Sequence, residues 1–202
     1  MPAIACIVEG HGETKSLPIL LRRMALEIDP GFVPQVVPPQ RLPASQIRNC
    51  GHLQAAIEYA GRRIAGNGGV MVLLDADWDD CCPAVDGPRL LQYAQGARND
   101  IELSVVLAKM EYEAWFLAAA DSLRGIRGLS GSLASPACPE SIRGAKEWLS
   151  RNMQGTQAYS ETLHQASFTA QFNMDLARER APSFDKFYRD AYRILMSIWN
   201  VC

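Results

Sequence analysis

Val70-Met71-Val72-Leu73-Leu74-Asp75-Ala76-Asp77 is the stretch on which the fold of this 202-residue chain turns. Apolar residues run from Val70 to Leu74 without alternation and meet an acid at once. That is the pattern of a strand covered on both faces, as at the centre of a parallel sheet. The same punctuation recurs outward from it. Ile4 to Val8 is a short β-branched run ending at Glu9-Gly10-His11-Gly12, after which Leu17, Leu20, Leu21, Met24 and Ile28 return at helical spacing. Phe32 to Val37 predicts an edge strand, because Pro34 removes a ladder donor. Pro38 to Pro43 predicts a loop that continues neither helix nor central strand. Leu53, Ile57, Ala60 and Ile64 mark the inner face of a second helix, closed by Gly66-Asn67-Gly68-Gly69. A third helix is expected between Pro88 and Asn99, a fourth strand from Leu103 to Leu107, and a helical stretch from Ala114 to Ala120.

These alternations predict an α/β fold, a mostly parallel four-stranded sheet flanked by helices, over residues 1–125. Beyond it strand signals stop. A Gly- and Ser-rich loop leads into the amphipathic stretches Ser141 to Met153 and Ser183 to Ile198, the latter with Ser183 as expected N-cap. Residues 126–202 therefore read as a helical extension packed on the sheet.

Charge narrows the function. With 20 basic and 22 acidic residues the net charge is −2, too small to mark a general polyanion binder. The longest apolar run, Ala114 to Ala120, is far short of the roughly 20 residues a membrane span needs. The first residues lack the basic start of a signal peptide, which predicts a cytoplasmic protein with no membrane partner. Cys6, Cys50, Cys81, Cys82, Cys138 and Cys202 show no C-x-x-C spacing, so free thiols are expected and a zinc site is not.

In open α/β sheets ligands bind beyond the carboxyl ends of the strands. Three predicted strands end in acids there: Glu9 after the first, Asp75 and Asp77 after the central one, Glu111 and Glu113 after the fourth. Single acids in such places are often solvated or compensate a helix dipole; their recurrence at three strand ends points to a shared site. Asp75 and Asp77, two apart in extended chain, face one side. Clustered hard oxygens without His or Cys suit Mg²⁺ or Mn²⁺. If a helix begins at Glu111, then Glu111 and Glu113 point about 200° apart and only one faces the site; the sequence leaves open which. Gly10, His11 and Gly12 could admit a phosphate at a helix N-terminus. Lys15 and Lys109 are further candidates for binding substrate phosphates. Tyr159, Thr162, His164 and Gln165 are candidates to reach over the site from the extension.

Ile7-Val8-Glu9-Gly10 and Leu73-Leu74-Asp75-Ala76-Asp77 resemble the two signature motifs of TOPRIM domains, found in topoisomerases, bacterial primases and nucleases of the overcoming-lysogenization-defect type. More closely, Val8-Glu9-Gly10-His11-Gly12-Glu13, Asp75-Ala76-Asp77-Trp78-Asp79-Asp80 and Glu111-Tyr112-Glu113-Ala114-Trp115-Phe116-Leu117 resemble a TOPRIM-like group of bacterial proteins catalogued as a domain of unknown function. The resemblance extends to Ser183-Phe184-Asp185-Lys186. It implies that Glu9 is a general acid/base and that Asp75 and Asp77 hold Mg²⁺ for phosphodiester cleavage in nucleic acid; Glu9 and either Glu111 or Glu113 are placed to add the further ligands that a second metal would need. It also implies a phage-defence setting with an ATPase partner. Asp79-Asp80-Cys81-Cys82 stands where many TOPRIM domains have a glycine, and basic residues are sparse. The chain has no room for topoisomerase gates. The expectation is a metal-dependent nuclease; the alternatives are a non-catalytic regulatory subunit of an ATPase complex and a small-nucleotide enzyme.

Overall fold

The structure is a computed structural model that describes residues 3–64 and 68–200. The sheet-bearing part runs β1 (Ala3–Val8), α1 (Glu13–Ile28), β2 (Gln35–Val36), β3 (Gln40–Arg41), α2 (Ala44–Ile47), α3 (Cys50–Arg63), β4 (Gly68–Ala76), α4 (Pro83–Ala97) and β5 (Glu102–Lys109). Helices follow: α5 (Ala114–Ala118), α6 (Ala145–Arg151), a π-helical turn at Glu161–Gln165, α7 (Ala166–Thr169), α8 (Met174–Arg180) and α9 (Pro182–Trp199).

The sheet has the order β2-β1-β4-β5, with β3 also paired to β1, and every one of these pairings is parallel. It has five strands against the four that the sequence predicts. The edge predicted from Pro34 is there, but in two pieces. Ala3 and Ile4 pair with Gln35 and Val36, while Ile7 and Val8 pair with Gln40 and Arg41, inside the expected loop. The reason is local: Val37 N donates to Ile4 O at 2.8 Å and Leu42 N to Val8 O at 2.9 Å, one donor on each side of Pro38-Pro39. Prolines interrupt the ladder without ending it.

Period-two alternation sorts the strands onto two cores. Ile4, Cys6, Val8, Met71, Leu73, Val106 and Ala108 face the layer containing α1 and α9; Ala5, Ile7, Val70, Val72, Leu74, Val105 and Leu107 face α3 and α4. β4 is thus covered on both sides, as its composition requires. Its first residues lie close to their neighbours: a Cβ on Gly68 would stand 1.9 Å from Ala3 O, and one on Gly69 2.6 Å from Ile194 Cγ2. The expected helix stop at Gly66-Asn67 lies outside the described residues, and Gly68-Gly69 opens β4 instead.

α9 lays Phe184, Phe187, Ala191, Ile194, Leu195 and Ile198 against the sheet and α1 layer. Trp115 of α5 packs at 5.1 Å from Phe184 and 5.2 Å from Phe187, centroid to centroid. Three expected helix starts shift. Pro182, whose fixed φ suits a first helical position, puts Ser183 inside the first turn of α9 and makes Ala181 the N-cap. Likewise Pro83 starts α4 earlier than Pro88, with Asp86 Oδ2 accepting from Cys82 N at 2.9 Å. α6 starts at Ala145 because Gly144 adopts φ 74, outside the helical region. Among the described residues no helix is long and apolar enough to cross a membrane.

Phe187→Ala should destabilise the protein by about 3–5 kcal/mol, since it empties a fully buried aromatic site. Tyr192→Ala, on the exposed face of the same helix, should cost less than about 0.5 kcal/mol. Urea unfolding of both variants checks that α9 is part of the cooperative core; equal losses would count against it.

Candidate functional site

A cavity of about 360 Å³ opens at the carboxyl edge of the sheet, above β1 and β4. Glu9, directly after β1, and Asp75 and Asp77, at and after the end of β4, all line it. Glu13 lines it from the first turn of α1, and Glu161 from the π-helical turn. Five carboxylates therefore meet two cations, Arg41 and Lys146, in one hollow. Glu113 lies beneath, fully buried.

The arrangement hangs on Gln165. Its amide nitrogen donates to Glu13 Oε1 at 2.9 Å and to Glu113 Oε1 at 3.1 Å, and its carbonyl oxygen accepts from Ser16 Oγ at 2.9 Å. Both amide protons and the acceptor are thus in use. Tyr159 OH adds a 2.7 Å bond to Glu113 Oε1. Both glutamates are held by one oxygen, and Oε2 of each, like Oε2 of Glu9, is buried without a hydrogen-bond partner. Gly12 makes the approach of Gln165 feasible, since a Cβ there would come 2.1 Å from Gln165 Oε1. Asp75 is fixed from the far side: Met110, held at φ 66, turns the chain after β5 so that Tyr112 N donates to Asp75 Oδ1 at 2.9 Å.

Burial dominates the electrostatics. It pushes the Glu113 carboxyl up to about 7, against the pull of Lys146 and the Tyr159 bond. Asp75 is raised well above its usual range, first by burial and then by Glu13 and Glu113; Glu9 is raised by burial and by Asp77. Lys146 Nζ, 2.5 Å from Glu161 Oε1 and 4.0 Å from Glu113 Oε2, is raised in spite of burial because these carboxylates hold its proton. Leaving a buried acceptor unpartnered costs about 1–3 kcal/mol; Oε2 of Glu9 and of Glu13, both from residues that line the cavity, is in that position, while Glu113 Oε2 faces only the Lys146 ammonium. Hard oxygens with free lone pairs fit Mg²⁺ or Mn²⁺ chemically. The set is not pre-assembled: among the described residues no three His, Cys, Asp or Glu side chains already stand as a coordination shell, so side chains must rotate to form one.

A family model described as a domain of unknown function, DUF4276, matches residues 8–190. The chain belongs to that family. The match begins at the last residue of β1, so all the cavity-lining groups fall within this DUF4276 domain. No curated protein and no solved structure matches the chain.

Within the DUF4276 match, the residues singled out by sequence separate into groups. Glu9, Gly10, His11, Asp75 and Asp77 line the cavity, and Gly12 supports it. Glu113 belongs to its hydrogen-bonded floor; Glu111 turns away to accept from Lys146 N at 3.3 Å, at the start of α6. Of the lysines, Lys15 is exposed on α1 and Lys109 lines a different hollow; the cations at this site are Lys146 and Arg41. Tyr159 and Gln165 do reach the site, whereas Thr162 and His164 bond locally to Ser160. Sequence reasoning misses Glu13, Lys146 and Glu161 as site residues. Glu13 alone carries a usable signal, an acid opening a helix just after Gly10-His11-Gly12.

A carboxyl raised by folding opposes the folded state as pH climbs from its unfolded to its folded value. Without divalent cation, stability should therefore fall as pH rises from about 4.5 through about 7, and Glu113→Gln should flatten that slope. Thermal unfolding across this range checks it; an unchanged slope in the variant would exonerate Glu113. Gln165→Leu removes the donors to Glu13 and Glu113 and should cost about 1–3 kcal/mol.

Proposed function

We propose that this chain is a Mg²⁺- or Mn²⁺-dependent, TOPRIM-like enzyme that cleaves phosphodiesters in nucleic acid, working with an ATPase partner in phage defence. The observation that carries the reading is the pair of buried carboxylate oxygens without hydrogen-bond partners on Glu9 and Glu13, in one cavity with Asp75 and Asp77 and above the buried Glu113. A phosphate ester is an anion, and five carboxylates against two cations repel it unless a cation stands between. Asp75, Asp77 and Glu9, with Glu13 and Glu113 behind them, are the residues to hold such a cation. When bound, a divalent ion would neutralise the phosphate and make its water more acidic.

The remaining roles fall to the chain. Glu9, half-buried and raised in pKa, is suited to take a proton from water at its free Oε2 and return it to the leaving oxygen. Gln165 and Tyr159 hold Glu113 by Oε1, which leaves Oε2 without a hydrogen bond and facing the Lys146 ammonium. Arg41, whose Nη1 donates to Glu9 O at 3.4 Å, stands at the mouth where a substrate phosphate arrives. With a net charge of −2 the surface cannot supply many phosphate contacts, so strand affinity depends on the cation and on a partner.

One observation favours a second reading: the absence, among the described residues, of a ready coordination shell suits a non-catalytic regulatory subunit of an ATPase complex. A single experiment separates the two. Wild type, Glu9→Gln and Asp75→Asn are assayed on single- and double-stranded DNA and RNA, with Mg²⁺, with Mn²⁺ and with chelator, alongside thermal unfolding. The nuclease reading expects metal-dependent cleavage that drops about 10²-fold or more in either variant. It also expects a metal-induced rise in Tm that Asp75→Asn abolishes. Metal-independent cleavage, or equal activity in all three proteins, overturns it; the absence of both metal-induced stabilisation and cleavage assigns the chain to the regulatory reading.

A further inference from the structure

A third cation, Arg48, stands beside the acidic cavity, one helical turn beyond its wall. Pro43 and Ala44, at the start of α2, line that cavity. Arg48 caps the other end of the same short helix, in helical backbone, and its N–H donates to Ala44 O at 2.9 Å. Four residues on, it falls on the side of α2 where Ala44 meets the cavity, with Cβ atoms about 5–6 Å apart. Its guanidinium lies over the ring of Trp78, 4.8 Å from the centroid, and Trp78 directly follows Asp77. Trp78 is steadied in turn by packing on the core that holds α3 and α4. The charge is felt inside the cavity: burial and Asp77 raise the Glu9 carboxyl, and Arg48 draws it down.

Arg48 differs from the other two cations in that its donors are unused. Lys146 is paired with Glu161 at 2.5 Å, and Arg41 donates to Glu9 O. Arg48 Nε is buried without a hydrogen-bond partner, and among the described residues the guanidinium has neither a hydrogen bond nor an ion pair. A guanidinium stacked on a ring is held by its face, which leaves its N–H edge free. The residue is only partly buried, and its two terminal nitrogens are not covered, so that edge is open to solvent. A partly buried charge without a counter-ion is costly, and a planar fork of N–H donors matches the oxygens of a phosphate.

We infer that Arg48, held flat on Trp78, receives a phosphate of the substrate strand, with Trp78 as its positioning residue. This rests on the proposed action on nucleic acid, but it requires strand binding and not cleavage. A counter-ion that only steadies Glu9 would behave differently. Its loss would lower stability and leave the salt dependence of strand binding alone.

Binding of a labelled single-stranded oligonucleotide is measured by fluorescence anisotropy in Mg²⁺ over a series of salt concentrations. A Glu9→Gln background suppresses cleavage, and Arg48→Met, Arg48→Lys and Trp78→Leu are added to it one at a time. Thermal unfolding of Arg48→Met is followed in the otherwise wild-type chain. Arg48→Met keeps an unbranched side chain beside Trp78 and removes the charge. It should weaken binding about tenfold or more and lower the slope of log K against log salt by about 0.7, the share of one phosphate contact on a single strand. Its Tm should not fall, since the charge has no partner to lose. Arg48→Lys should keep the slope with reduced affinity, because a point charge lacks the fork. Trp78→Leu should do the same, because the charge remains but is no longer held. An unchanged slope in Arg48→Met, whatever its affinity, overturns the inference, and a lowered Tm with it makes Arg48 a counter-ion of Glu9. Absence of strand binding in the Glu9→Gln background overturns it as well, and full affinity in Trp78→Leu removes the tryptophan from the contact. The expected losses in a chain whose wild type cleaves nothing would refute the nuclease reading and keep Arg48 as the strand contact of a binding subunit.

Discussion

Carboxylates packed against one another at the end of buried strands are the constraint that the rest of this structure answers to. Glu9, Glu13, Asp75 and Glu113 come from separate elements, and each would be more stable in water. They stay together because a neutral bridge, Gln165, gives one proton to each of two of them, and because Lys146 sits between Glu113 and Glu161. The helices after β5 therefore complete the site as well as cover the sheet. Lys146 and Gln165 come from them and Tyr159 from the loop after α6, and the aromatic layer of Trp115, Phe168, Phe172, Phe184 and Phe187 anchors them to the sheet and to one another.

The division of labour explains what can be read from the sequence. β4 and the acids behind it are legible because a strand buried on both faces has no polar positions to spare, so Asp75 stands out as a break in pattern. α1, α3 and α9 are legible because their buried faces repeat at helical spacing. Glu113 can be narrowed only to a choice with Glu111, since that choice depends on where α5 starts, and it is the backbone turn after Met110 that puts the start at Ala114. Gln165 can be named only as one of four candidates in the extension, beside Tyr159, Thr162 and His164, with nothing to set it apart from them. A polar residue in a short π-helical turn, joined to Glu13 across 152 positions, shows nothing periodic, and its role exists only after the chain has folded.

The edge strand is the other partial reading. Proline rules describe which residues cannot donate, and they correctly put this segment at the sheet's margin. They do not exclude pairing on either side of a proline pair, and Gln35–Val36 and Gln40–Arg41 take up both positions. Helix starts move for a related reason: at Pro182 the ring's fixed φ outweighs Ser183, which looks like the better cap, and at Pro83 it opens α4 a turn ahead of Pro88.

That broken margin has a consequence for how the molecule meets other chains. A continuous edge offers a row of free backbone groups on which another strand can grow, the usual start of sheet-to-sheet aggregation. Here the outer border is two pieces of two residues each, separated by Val37-Pro38-Pro39. A visiting strand finds no run long enough to zip along. At this border the molecule is sealed against polymerising through its own sheet, and any lasting partner on this side must hold it through side chains.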